Sequence, residues 1–229
     1  QRVLMIDLDP QGNTTSGLGM EVDDKSIYEV IMGRMKLTDV MEETEFKNLS
    51  IAGSDVRLAN AELELVEVEK REYRLKTAVQ SVQQDFDFIF IDCPPSLGLL
   101  TINALGAADS VLIPIQCEYY ALEGVASLMN TISRVKKTIN PHFEIEGVLL
   151  TMLDGRTNLG LQVVDEVKKH FKKQVYATVI PRSVRLGEAP SHGEPIHVYD
   201  KRSAGCVAYV NLAKEVLKRN NIKVKEFKL

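Results

Sequence analysis

No stretch of this 229-residue sequence approaches the roughly 18 consecutive apolar residues of a membrane-spanning helix. Its beginning has no charged lead followed by an apolar signal core, so the reading is of a chain neither exported nor membrane-spanning. Cysteine is scarce. Cys93, Cys117 and Cys206 lie far apart and form no Cys-x-x-Cys pair, which fits reduced core residues in a cytoplasmic protein. His142, His170, His192 and His197 have no metal-ligand spacing with one another or with cysteine, which argues against a zinc site. There is no excess of positive charge either. At a net charge of −4, any nucleic-acid binding has to come from a local basic patch. Repeats, low-complexity segments and Pro/Gly linkers are missing too, so a single domain over residues 1–229 is expected.

What is present is the composition of a soluble globular chain, 45% hydrophobic and 26% charged, long enough to bury a sizeable core. Short apolar runs recur at 2–6, 49–53, 86–91, 110–115, 145–152 and 175–180. They are continuous rather than alternating, as strands covered on both faces of a parallel sheet are. Stretches of helical period lie between them, at 119–139 and 160–171. Further helices are expected over 60–82, from Gly98 to Leu105 and from Ala204 to Asn220. Strand, helix, strand is the rhythm of an α/β fold, a doubly wound and mostly parallel sheet with helices on both faces.

Two of the runs end on aspartate: "MIDLDPQGN" (5–13) and "FIFIDCPPS" (88–96). Burying a carboxylate costs several kcal/mol unless something pairs with it or binds it. Ligands of open parallel sheets bind beyond the carboxyl ends of the strands, where Asp7, Asp9 and Asp92 fall. If the strand stays extended through Leu8, Asp7 and Asp9 project to one side with Cα atoms roughly 6.5 Å apart. Hydrated Mg²⁺, which takes few carboxylates plus phosphate oxygens, reconciles such neighbours. Asp92, after four hydrophobic residues, has the form of a carboxylate that orients water on magnesium. Alternatively, each aspartate caps the turn that follows it. Gly12 and Asn13 permit the positive-φ backbone that a switch loop needs, or an ordinary turn.

Longer motifs carry a resemblance. The segments "VLMIDLDPQGNTTSGLG" (3–19), "DFIFIDCPPSLGLLTINAL" (87–105), "VLIPIQCEYYALEGV" (111–125), "VLLTMLDGRTNL" (148–159) and "VIPRSVRLGEAPSHGEPI" (179–196) resemble, in order, the signatures of the ParA/Soj partition ATPases. These belong with MinD among the deviant-Walker P-loop proteins. The resemblance implies a P-loop NTPase fold and the cofactors ATP and Mg²⁺. It gives Asp9 the polarising of the attacking water, and Asp7 and Asp92 the magnesium. Pro181, Arg182 and Ser183 would line the adenine and the dimer seam, with Met152 and Asp154 nearby. Gln116, Glu118 and Tyr119 resemble a segment near the dimer interface, although Tyr119, Tyr120 and Leu122 could equally open a core helix.

The same resemblance implies an ATP-dependent homodimer, nucleoid-associated in the cytoplasm, that binds DNA non-specifically and answers to a ParB-type partner. Arg185, Arg202, Lys214 and Lys218 are the DNA candidates, with Arg182, Lys201 and Arg219 beside them; such contacts hold phosphate without reading bases. No stable membrane association is expected, because Asn220 and Asn221 interrupt the last helical pattern and "IKVKEFKL" (222–229) alternates with period two. One departure stands out: the sequence contains no Gly-Lys-Thr or Gly-Lys-Ser. The family's phosphate-binding loop, with its strand and helix, would come before Gln1, a step of about 30 residues. Without that loop the β- and γ-phosphates lose their cradle, nucleotide binding is severely weakened, and the strands beside the missing one keep unpaired edges. Other readings are a ParA-like ATPase that positions a protein cargo, and a non-catalytic interaction protein that keeps the fold alone.

Overall fold

The structure, a computed structural model, describes residues 1–118 and 123–224. Tyr119, Tyr120 and Leu122, weighed above, lie outside the described residues. Two compact units are present, Gln1–Asp109 with Thr131–Phe143 and Ser110–Asn130 with Glu144–Leu229.

The first unit runs β1 (Val3–Asp7), α1 (Asn13–Gly17), α2 (Ile27–Ile31), α3 (Leu37–Val40), β2 (Met41–Glu43), β3 (Leu49–Ala52), α4 (Leu58–Glu64), α5 (Arg74–Gln80), β4 (Phe88–Asp92) and α6 (Leu99–Ala107). Its sheet has the order β2-β3-β1-β4, with β1 parallel to both neighbours and the short β2 antiparallel. Leu4 and Ile6 of β1 are fully buried in a core shared with Ile27, Ile31, Leu58 and Leu75. Each such side chain contributes roughly 1.5–3 kcal/mol relative to exposure.

The helix expected over 60–82 is broken. α4 stops at Glu64, Lys70 takes a left-handed conformation at φ 54°, and α5 begins at Arg74. The cause lies in α6: fully buried Asn103 accepts from Leu75 N at 3.2 Å and donates to Arg71 O at 2.9 Å. Its amide thus stands between the two groups that a continuous helix would have joined, satisfying an orphan donor of the first turn of α5.

α7 (Glu123–Thr138) gives its second half to the first unit, where Asn140 just beyond it donates to Leu105 O and Ala108 O at the end of α6. The second unit contains β5 (Ser110–Gln116), β6 (Glu144–Leu153), α8 (Asn158–Phe171), β7 (Val175–Pro181), α9 (Val184–Glu188), α10 (Ile196–Tyr199) and α11 (Ala204–Arg219). The three strands are parallel in the order β5-β6-β7. α8 buries Val163, Val164, Val167 and Phe171, the helical spacing of one face. Thr157 caps its start by accepting from Gly160 N.

All six expected strands form, but not all are covered on both faces. β4 pairs only with β1 and β5 only with β6 among the described residues. Phe90 on β4 is 42% exposed, and β5 carries the exposed Pro114 mid-strand, which a strand at the edge tolerates. Among the described residues no helix is long and apolar enough to cross a membrane.

The other edge, β7, is closed differently. Its register with β6 jumps from Val148↔Val175 to Leu150↔Val179, pushing extra residues out of the ladder. Glu215 of α11 takes up the freed donors, accepting from Ala177 N at 2.8 Å and Thr178 N at 2.9 Å. Burial pushes the Glu215 carboxyl up, but these two amides and Arg219 outweigh it and hold it below its ordinary value. A carboxyl lowered by folding stabilises the fold above its unfolded value, about 4.5, and loses that contribution as pH falls through the folded value. Glu215→Ala is therefore expected to cost about 1–3 kcal/mol in urea unfolding at pH 7 and distinctly less near pH 3. Equal costs at both pH values would contradict this role.

Candidate functional site

β1 and β4 bring Asp7 and Asp92 into direct register at the carboxyl ends of paired parallel strands. β1 ends at Asp7 rather than running on to Asp9, so the extended geometry expected through Leu8 is not what joins these carboxylates. After one last bond, Leu8 N to Asp92 O at 2.8 Å, the chain turns. Asp9 N donates back to Asp7 Oδ1 at 3.2 Å, Gln11 N to Asp9 Oδ1 at 3.0 Å, and Gly12 N to Asp9 O at 3.0 Å. Gly12 has φ 64°, and a Cβ there would stand 3.3 Å from Ser54 O, so the turn demands glycine twice over. Asn13 is instead the first residue of α1.

Two adjacent hydroxyls that sequence reasoning passed over complete the arrangement. Thr14 Oγ1 donates to Asp92 Oδ2 at 2.6 Å, and Thr15 donates to Asp7 Oδ2 through both N (2.8 Å) and Oγ1 (2.7 Å). Only the turn after β1 reveals that consecutive threonines serve carboxylates on different strands. Asp7 has no exposed surface. Burial pushes its carboxyl above the ordinary range, Thr15 and Asp9 N pull it part of the way back, and the Asp92 charge adds to the rise.

Among the described residues no three His, Cys, Asp or Glu side chains are placed to hold a metal by themselves. A pair of oxygen donors with room for water and phosphate is what Mg²⁺ accepts. Asp92 is half-buried, with Oδ2 accepting from Thr14, whereas Asp7 has no exposed surface and both of its oxygens accept from Asp9 N and Thr15.

In the second unit, the ends of β5 and β6 open onto a cleft of about 1020 Å³ lined by Gln116, Glu118, Met152, Asp154 and Arg182 among others. Met152 reaches it from a bulge in β6, with a left-handed backbone at φ 56° and 37% exposure. Arg182 is ion-paired with Glu118, and Asp154 is held well below the usual carboxylate range by the hydrogen bonds of Arg156. Pro181 lies instead along a shallower groove with Ala177, Val207 and Asn211. Ser183 precedes α9 and lines neither.

The basic candidates do not gather in one place. Arg202 precedes α11 and Lys218 stands in its last turn, at opposite ends of a 16-residue helix about 24 Å long. Lys214 and Lys218 share a face at i,i+4. Arg185 already pairs with Glu188 (2.9 Å) and Asp200 (3.4 Å). Arg219 drops out as a phosphate contact. Its guanidinium lies 3.7 Å from the centre of the Tyr176 ring and donates to the carbonyls of Glu146, Gln174 and Val175.

Cys93 follows Asp92, and burial, reinforced by Asp92 and Asp9, pushes its thiol up to about 12. At pH 8 the folded chain should therefore alkylate at Cys93 about a thousandfold more slowly than the unfolded chain, read by mass spectrometry of the labelled peptide. Equal rates would mean that the thiol is not buried as this geometry has it.

The AAA_31 family model, described as an AAA domain, matches residues 1–145. The chain is 57% identical over 218 residues to the sporulation initiation inhibitor protein Soj of Bacillus subtilis (strain 168), covering 94% of this chain and 86% of that protein. It is 49% identical to the chromosome partitioning protein ParA of Myxococcus xanthus (strain DK1622), covering 97% and 80% respectively. A cobyrinic acid a,c-diamide synthase from Mycobacterium smegmatis, solved with an ATP analog and magnesium, superposes with a TM-score of 0.83 at 35% identity, over 100% of this chain and 87% of that one. On identity carried along nearly its whole length, the chain belongs to the Soj/ParA family of chromosome-partitioning ATPases.

Proposed function

We propose that these residues, in a protein that also carries the family's phosphate-binding loop, work as a ParA-type ATP hydrolase, an ATP-dependent homodimer that binds nucleoid DNA non-specifically in the cytoplasm and is regulated by a ParB-type partner; the 229 residues alone, without that loop, are inactive. The observation that carries the reading is the meeting of Asp7, Asp9 and Asp92 at the paired ends of β1 and β4, with the Asp9 loop hung on Asp7. Magnesium-bound ATP would supply a charge-neutralised phosphate chain open to attack by water. Asp9, half-exposed on its turn, holds the attacking water and accepts its proton. Asp92 orients the water shell of the metal, while Asp7 stays buried and fixes the local geometry. Met152 and Arg182 offer the base a partly apolar cleft, with Pro181 and Ser183 beside it in sequence. Arg185, Arg202, Lys214 and Lys218 meet phosphates, and being spread out they hold DNA without reading it.

In a protein that carries the lysine-bearing glycine loop, Asp9→Ala is expected to lower ATP turnover about 100-fold or more while leaving an ATP-held dimer on DNA. Unchanged turnover, or a variant that neither dimerises nor retains DNA in ATP, contradicts the reading. The 229 residues alone lack Gly-Lys-Thr and Gly-Lys-Ser, so calorimetric titration with ATP and Mg²⁺ should show no micromolar binding. A micromolar constant would mean that the phosphates are gripped by residues not identified above.

A further inference from the structure

We infer that Thr15 is a positioning residue for hydrolysis: its hydroxyl and amide fix the Asp7 carboxylate and, through Asp7, the loop that carries Asp9. This rests on the roles given above to Asp7 and Asp9. Thr15 is 4% exposed. Its Oγ1 accepts from Ser54 N at 3.0 Å, a group that can only donate, so its single proton is committed to Asp7 Oδ2 at 2.7 Å. Its own N–H meets the same oxygen at 2.8 Å. The other oxygen, Oδ1, takes Asp9 N. Asp7 therefore closes the loop from both ends, at Asp9 and at Thr15.

Ser54 backs the loop twice, donating through its N–H to Thr15 and standing with its carbonyl against Gly12. Losing the Thr15 hydroxyl leaves Ser54 N and Asp7 each one partner short and releases the turn on which the Asp9 carboxylate is aimed. In-line attack tolerates little displacement of the group that holds the water.

Thr15→Val keeps the shape and removes the hydroxyl; Thr15→Ser keeps the hydroxyl. In the loop-bearing protein, Thr15→Val is expected to lower kcat about ten- to a hundredfold with KM for ATP within about twofold, and Thr15→Ser to recover most of the loss. A second readout needs neither nucleotide nor turnover. In the 229-residue chain, the amides of Asp9, Thr15 and Ser54 should exchange with deuterium distinctly more slowly than that of the exposed Asn13, and Thr15→Val should speed all three while β1 amides are unchanged. Wild-type turnover in Thr15→Val, or Asp9, Thr15 and Ser54 amides as fast as Asn13 in the wild type, overturns the inference. Should the wild-type protein fail to hydrolyse ATP, the functional reading falls, and the exchange pattern still decides whether Thr15 holds the loop. Should Thr15→Val not fold, the wild-type exchange pattern decides alone.

Discussion

A carboxylate taken fully out of water at the end of β1 has to find replacements for the hydrogen bonds it gives up, and Asp7 finds them in its own downstream loop. Three donors from Asp9 and Thr15 converge on it. The chain must therefore leave the sheet at Asp7, turn at Asp9, pass through a left-handed Gly12 and enter α1 at Asn13. The cost of burying one charge thus dictates the path of nine residues. Those donors do not lower the carboxyl to its ordinary range, and the Asp92 charge adds to the rise.

In the second unit a similar rule acts on backbone groups instead. A bulge in β7 frees two N–H groups, and Glu215 of α11 receives both. Arg219, one turn on, bonds Glu215 and three backbone carbonyls while lying over Tyr176. Together they join the last helix to an edge strand that could otherwise pair with another chain. A lysine or arginine late in a helix reads from sequence as a surface cation; Arg219 is instead part of the scaffold.

Much of the fold was legible because short continuous apolar runs bounded by turn residues suit buried strands, and all six formed them. β2 was not, since three residues of the composition Met-Glu-Glu carry no strand signal and form one only because β3 offers an edge. The break between α4 and α5 was not legible either: residues 60–82 have good helical propensity, and the interruption comes from Asn103, far along the chain. At the site, Asp7, Asp9 and Asp92 announced themselves by ending apolar runs. Thr14, Thr15 and Ser54 did not, because a hydroxyl in a turn has no period and no partner visible in one dimension.

The sequence by itself determined that this is an α/β chain with acidic strand ends, and through its long ordered motifs it determined the Soj/ParA family. Local pattern suffices there, since periodicity and motif are properties of neighbouring residues. Only the tertiary structure decided that Asp7 and Asp92 are register partners, that Asp9 leaves the strand, and that Met152 and Arg182 share a cleft that Ser183 does not reach. Those are consequences of strand register, of a bulge and of hydrogen bonds closed across dozens of residues, and none exists until the chain has paid the entropy of folding.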